Sequence, residues 1–280
     1  VPRVAFFGYP ARGHTAPSLP IVAELVSRGA SVDYHSIPAF RTLIEEAGAR
    51  FVAYPPACAH WLTDGVTSAE HLARVLATAD EMLPTLLGAM STPDLVLFDA
   101  SALWGRIIAR RLERPCVAST TTFAFSRAML RMLAPHAPSA WSAPILARLN
   151  AEHDAGLQDH LDIISPTADL KLVYTARGFQ PSGRFFDDSH LFLGPLLNQR
   201  PREGTRVETA AARPLAYVSL GTIFNRDHAM LRQISDVLAA RGWHVVVSFG
   251  GANEAPSQDW PEHVEAHAFV DQIGLLAQAR

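Results

Sequence analysis

The residues best placed to do chemistry sit in the loop Gly8-Tyr9-Pro10-Ala11-Arg12-Gly13-His14-Thr15. Its pattern, G-x-x-x-x-G-H-T, differs at one position from the phosphate-binding loop G-x-x-x-x-G-K-[ST]. An apolar run precedes it and a helical pattern follows. A second apolar run, Leu95 to Asp99 (LVLFD), ends in an aspartate, as a magnesium-holding segment would. A degenerate nucleoside triphosphatase is therefore one reading. Against it, an imidazole lacks the permanent charge that lysine presents to phosphates and instead titrates near neutrality. Pro17 and Pro20 also fall in the first turns of the following helix, an unusual start for a phosphate cradle.

The other reading gives His14 a proton to move. In an open parallel sheet, the loops at the carboxyl ends of neighbouring strands surround the binding crevice. His14 follows the first strand and Asp99 closes a later one, so the two can meet above the sheet. A carboxylate that accepts from one ring nitrogen fixes the tautomer and stabilises the imidazolium once the other nitrogen has taken a proton. Such a pair suits deprotonation of a hydroxyl nucleophile. Taken singly, each residue has an ordinary explanation: the chain has 12 histidines, and an aspartate after a strand often caps the next helix. Together, each at a strand's carboxyl end, they favour the functional reading.

The elements that must position this pair are legible. Arg3 to Gly8 reads as a strand. A helix with Leu19, Val22, Ala23 and Val26 on one face follows and stops at Gly29. Strands are expected at Ser31 to Ser36, Phe51 to Tyr54, Asp94 to Asp99, Pro115 to Ser119 and Leu170 to Thr175, with helices through Arg41 to Ala47 and Trp104 to Leu112. Phe123 to Leu161 reads as mainly helical, broken by prolines. This alternation predicts an α/β fold with a parallel sheet and right-handed crossovers. Residues 1–197 form the first predicted domain. The polar stretch Asn198 to Pro214, with two prolines and a glycine, reads as a linker. The rhythm restarts over 215–280: strands at Leu215 to Leu220, His244 to Phe249 and Val264 to Val270, and a helix with Leu231, Ile234 and Leu238 on one face. A complete doubly wound domain has about five or six strands, so this second domain is expected to be incomplete.

Composition narrows the classes. The net charge is −3 and the arginines are scattered, which argues against a nucleic-acid binder. Only two cysteines, Cys58 and Cys116, are present, so neither a disulfide framework nor a cysteine metal site is expected. No apolar run reaches the roughly 20 residues of a membrane span, and no secretory leader opens the chain. A cytoplasmic protein is expected, and a homodimer is compatible with these features.

The segment VAFFGYPARGHTAPSLPIVAELVSRGASVDYHS, followed by FRTLIEEAGARFVAYPP, PDLVLFD, YVSLGT and VEAHAFVDQIGLLAQA, resembles bacterial macrolide-type glycosyltransferases of the UDP-glycosyltransferase superfamily. The resemblance covers nearly the whole chain. It implies the GT-B fold, two Rossmann-like domains with parallel sheets. His14 would be the base that deprotonates an acceptor hydroxyl, and Asp99 the carboxylate that orients it. Gly13, from the G-H-x-x-P start, would face the donor. Ser219, Gly221 and Thr222 would form the turn at the donor diphosphate, and Phe269, Val270 and Gln272 the cradle of the base. Asp271 stands where the family carries proline. The resemblance further implies a nucleoside-diphosphate sugar, with a UDP or dTDP carrier, as co-substrate, no other cofactor and no obligatory metal.

A hydrophobic natural-product acceptor, of the kind met in antibiotic biosynthesis, would dock on the first domain. Trp61, Trp104 and Phe123 are candidate walls for it, although each alone reads equally well as a core residue. A non-catalytic relative that binds an aglycone or a partner protein is the alternative.

Overall fold

A computed structural model describes residues 1–56, 68–133, 142–196, 204–207, 213–221, 227–251, 260–261 and 263–278. Two compact units have their boundary between residues 200 and 201.

The first unit carries β1 (Arg3–Phe7), α1 (Arg12–Ser27), β2 (Ser31–Ser36), α2 (Arg41–Glu46), β3 (Arg50–Ala53), α3 (Ser68–Ala89) and β4 (Leu95–Asp99). It continues with α4 (Leu103–Arg111), β5 (Cys116–Thr120), α5 (Arg127–Leu133), α6 (Ala143–His153), β6 (Leu170–Val173) and β7 (His190–Phe192). All strand pairs are parallel, in the order β3-β2-β1-β4-β5-β6-β7. The central strands are apolar on both faces because helices cover both, as the unbroken run Val4-Ala5-Phe6-Phe7 requires. Strand order reverses at β1. Its neighbours are β2 on one side and β4 on the other, and Phe7 stands beside Phe98. The loops leaving β1 and β4 therefore open the crevice of the sheet.

α4 crosses close under this point. A Cβ on Gly105 would lie 2.5 Å from the Cβ of Phe98 and 3.0 Å from that of Phe7. Neither atom is the far end of a flexible side chain, so the helix itself would have to lift. Gly105→Ala is expected to destabilise the unit by about 1–3 kcal/mol, against the small gain alanine brings to an exposed helix. Denaturant unfolding checks this. An unchanged midpoint would mean that α4 has more room than the contacts show.

The second unit carries β8 (Leu215–Ser219), α7 (His228–Ala240), β9 (His244–Ser248), β10 (Val264–His267) and α8 (Gln272–Leu276), with parallel strands in the order β10-β9-β8. Leu231, Val218, Val245, Val247 and Phe249 pack together as its core. The helix face is rotated from the expected one. Leu231 and Ser235 are buried and Leu238 packs against them, whereas Ile234 is 39% exposed. At 100° per residue, Leu231, Ser235 and Leu238 cluster within one narrow arc and Ile234 falls on its flank. The hydroxyl of Ser235 is satisfied by donating to Leu231 O at 2.7 Å, which is why a polar residue can sit there.

Part of the expected linker is ordered against this unit. Thr205 forms a parallel bridge with Val270, and Val207 packs with Leu215, Val246, Val270 and Leu275. One buried valine anchors the segment, and a single apolar residue gives no period to read. β7 also goes beyond the sequence expectation: its three residues, His-Leu-Phe, are too few to show alternation. Among the described residues, no helix is long and apolar enough to cross a membrane.

Candidate active site

His14 lies in the first turn of α1 and Asp99 is the last residue of β4, so the β1–β4 neighbourhood brings them together. His14 Nδ1 is 3.0 Å from both carboxylate oxygens of Asp99. An ionised carboxylate can only accept, so Nδ1 carries the proton and donates it to Asp99, leaving the lone pair on Nε2. Asp99 is almost fully buried, at 2% exposure, and its Oδ1 also accepts from Ser101 N at 2.9 Å. The two donors compensate the lost hydration of the buried charge. Thr121, just past β5, places its Oγ1 3.2 Å from His14 Nδ1. The ring of Tyr9 lies 4.8 Å from that of His14. Burial, reinforced by the nearby charge of Asp99, pushes the Tyr9 hydroxyl well above its ordinary pKa, so it stays neutral.

The walls beneath the pair are tied by further hydrogen bonds. Tyr54 donates its hydroxyl to Gly8 O at 2.9 Å and accepts from Trp104 Nε1 at 2.9 Å. Ser18 donates to Thr15 O at 2.8 Å and thus accepts from the Tyr34 hydroxyl at 2.9 Å. Pro17 and Pro20 lie inside α1, so the helix begins earlier than its apolar face indicates, and His14 falls on its first turn.

Gly13 is exposed at the start of α1, a helix with no side-chain cap at its N-terminus. Ser219 ends β8, and its Oγ accepts from Gly221 N at 3.2 Å. Gly221 has φ +82°, a conformation that explains glycine at this turn. Phe269 is partly buried, with its carbonyl accepting from Thr205 N, while Gln272 is exposed at the start of α8. Phe123 is partly buried and its ring lies 5.7 Å from that of Phe179, which is 76% exposed. Thr222 and Trp61 lie outside the described residues.

One expectation is corrected. Trp104 is a core residue at 1% exposure, its indole N–H spent on Tyr54, and offers no wall to an acceptor. The side chain of Val270 is 2% exposed and packs in the core of the second unit. Asp271, in place of the family's proline, acts locally, since its Oδ1 accepts from Gly274 N at 3.1 Å and caps α8. Sequence reasoning missed Thr121, Ser101 and Tyr9. For Thr121 the signal was present, because β4 and β5 run in parallel with Asp99 beside Ser119. Residues just after β5 must then approach the carboxylate.

Comparisons with known proteins bear on this geometry. No protein-family model matches the chain. The chain is 31% identical to the demethyllactenocin mycarosyltransferase of Streptomyces fradiae over 292 residues, covering 96% of this chain and 63% of that protein. It is 30% identical to the oleandomycin glycosyltransferase of Streptomyces antibioticus over 295 residues, covering 99% of this chain and 68% of that protein. The chain belongs to the macrolide-type glycosyltransferase family. Among solved structures, the glycotransferase of kitacinnamycin superposes with a TM-score of 0.78 at 29% identity, over 99% of this chain and 73% of that one. This glycosyltransferase-family chain thus spans about two thirds of the length of the two curated relatives. The GT-B fold expectation agrees with the two parallel sheets and with that structural match. Family membership, together with Nδ1 of His14 committed to Asp99, sets aside the triphosphatase reading.

Proposed function

We propose that the protein is an inverting glycosyltransferase that moves a sugar from a nucleoside-diphosphate donor to a hydroxyl of a hydrophobic natural product. The observation that carries this reading is the His14–Asp99 pair, both carboxylate oxygens 3.0 Å from Nδ1 at the point where strand order reverses. Nε2 takes the proton of the acceptor hydroxyl as its oxygen attacks the anomeric carbon. The bond from that carbon to the diphosphate oxygen breaks, the nucleoside diphosphate leaves, and the configuration inverts. The imidazolium formed on His14 is stabilised by Asp99, which remains ionised. On the donor side, the amides of the turn at Ser219 to Gly221 suit the charge of a diphosphate, and Gly221 permits close approach. The reading includes no obligatory metal.

Incubating the protein with radiolabelled UDP-glucose or dTDP-glucose and a panel of hydrophobic alcohols, a macrolide among them, tests this. The expected product is a labelled glycoside of inverted anomeric configuration, with one nucleoside diphosphate released per transfer. Alcohol binding without transfer would overturn the reading in favour of a non-catalytic aglycone binder. Retained configuration would remove the single-displacement mechanism.

A further inference from the structure

A cavity of about 510 Å³ lies in the first unit on the face of the sheet formed by β1, β2 and β3. The parallel register sets Arg3 beside Ser31, Ala5 beside Asp33 and Phe7 beside His35, while Arg50 and Val52 stand next to Asp33 and His35. Alternation along each strand puts these side chains on one face. The last turns of α3 close the other side with Leu86 and Ala89, followed by Met90. Neither His14 nor Asp99 is among the lining residues.

Three features make this more than a packing gap. The interior carries a buried polar atom with nothing to bond: His35 is 6% exposed, lines the cavity, and its Nδ1 has no hydrogen-bond partner. Its ring is held flat on Phe7, centroids 4.5 Å apart and planes within 22°, so it cannot turn away to find one cheaply. Second, the rim carries an uncompensated cation. Arg50 is neutralised by two hydrogen bonds to Asp33, whereas the guanidinium of Arg3 makes no hydrogen bond or ion pair among the described residues. Asp94 is engaged with the backbone amide of Arg3. Third, the walls between rim and histidine are apolar, from Ala5, Val52, Leu86 and Ala89. The volume is within the range of small-molecule sites.

We propose that this cavity is a second ligand site, separate from the catalytic pair, for a largely apolar carboxylate that carries a hydroxyl at its far end. The carboxylate meets Arg3 at the rim, the apolar body fills the space against α3, and the hydroxyl satisfies Nδ1 of His35. A hydroxyl serves whichever tautomer the ring adopts, since it both donates and accepts. Burial holds the imidazole down to a pKa of about 4, so it is neutral near pH 7 and selects a hydroxyl over a second anionic group. Residues 31 and 35 of β2, beside Arg3 and Phe7 in the register, are separated by about 13 Å along the strand. An arylpropanoate with a para hydroxyl carries the required sequence of carboxylate, apolar body and terminal hydroxyl.

The probe is 3-(4-hydroxyphenyl)propanoate, titrated calorimetrically into the protein beside its primary amide and 3-phenylpropanoate. Saturable binding of the acid is expected, with the amide weaker by about tenfold, the worth of one charge-assisted hydrogen bond. Arg3→Gln, at an exposed position, should bring the acid down to the amide's level. His35→Phe should abolish the preference for the hydroxylated acid over 3-phenylpropanoate. Amide resonances of Ser31, Asp33 and Ala89 should shift on binding, and that of His14 should not. No saturable binding, equal binding by Arg3→Gln, or shifts centred on His14 would each overturn the proposal. Arg3→Gln keeps the test decisive if His35→Phe fails to fold. Failure here leaves the sugar-transfer reading untouched, because neither His14 nor Asp99 lines the cavity.

Discussion

Replacing His14 with alanine is expected to lower the turnover of sugar transfer by about a thousandfold, the middle of the range for losing a positioned general base. The reason is geometric. Nδ1 is fixed on Asp99, so Nε2 presents a lone pair in one direction only, and no other described side chain pairs with that carboxylate. The fold should survive. The ring of His14 is partly exposed and supports α1 less than Leu19 and Val22 do, both of which are buried against the sheet. Steady-state kinetics with the acceptor varied should show the loss in kcat, with KM for the acceptor moving little, because the base acts on the reacting proton and not on the body of the acceptor. Transfer by His14→Ala at the parent rate would show that the base lies elsewhere.

The second large effect belongs to Asp99→Asn, a nearly isosteric change that removes a charge and also reverses a hydrogen bond. Oδ1 of Asp99 accepts from the amide of Ser101 at 2.9 Å. Asparagine must keep its carbonyl oxygen there, which turns its amide nitrogen toward His14. That nitrogen donates, so an Nδ1–H would face a second donor at the Oδ2 position, and the ring proton is expected to move to Nε2, where the base must be empty. The imidazolium formed during transfer also loses its stabilising partner. The expected fall in kcat is about a thousandfold, close to that for removing the imidazole, because base and carboxylate act as a unit. The tautomer is directly observable: 15N chemical shifts of His14 should exchange their Nδ1 and Nε2 assignments in the variant. Unchanged tautomer and unchanged turnover would confine Asp99 to holding the turn at Ser101.

Both residues are legible in the sequence, because parallel sheets offer their carboxyl ends in a fixed order and two titratable groups stand at two of those ends. The same logic, carried one strand further, reaches Thr121 through the register of Asp99 with Ser119. What sequence alone does not yield has local causes. Trp104 sits near a strand's carboxyl end and so suggests a wall for an acceptor, but α4 turns it inward to Tyr54, and facing is not encoded by residue type. Val270 continues an apolar strand pattern, and only its bridge with Thr205 shows that it closes a core. β7 and the 204–207 segment are too short for any period to emerge. Ile234 fits a three-residue spacing, yet the buried arc of α7 is centred on Leu231, Ser235 and Leu238, with a serine that hydropathy alone places outside. Long elements show their period. Short ones and single orientations are decided by neighbours distant in the chain.

One property of the pair reaches beyond its own chemistry. His14, Asp99, Ser101 and Thr121 all belong to the first unit, and every hydrogen bond among them closes within it. Under the proposed mechanism, the proton-handling groups therefore lie in a single unit of the fold. A recombination event that joined this unit to a different downstream partner would carry the proposed base and its orienting carboxylate along together. Variation in the second unit could then proceed without altering the groups proposed to activate a hydroxyl.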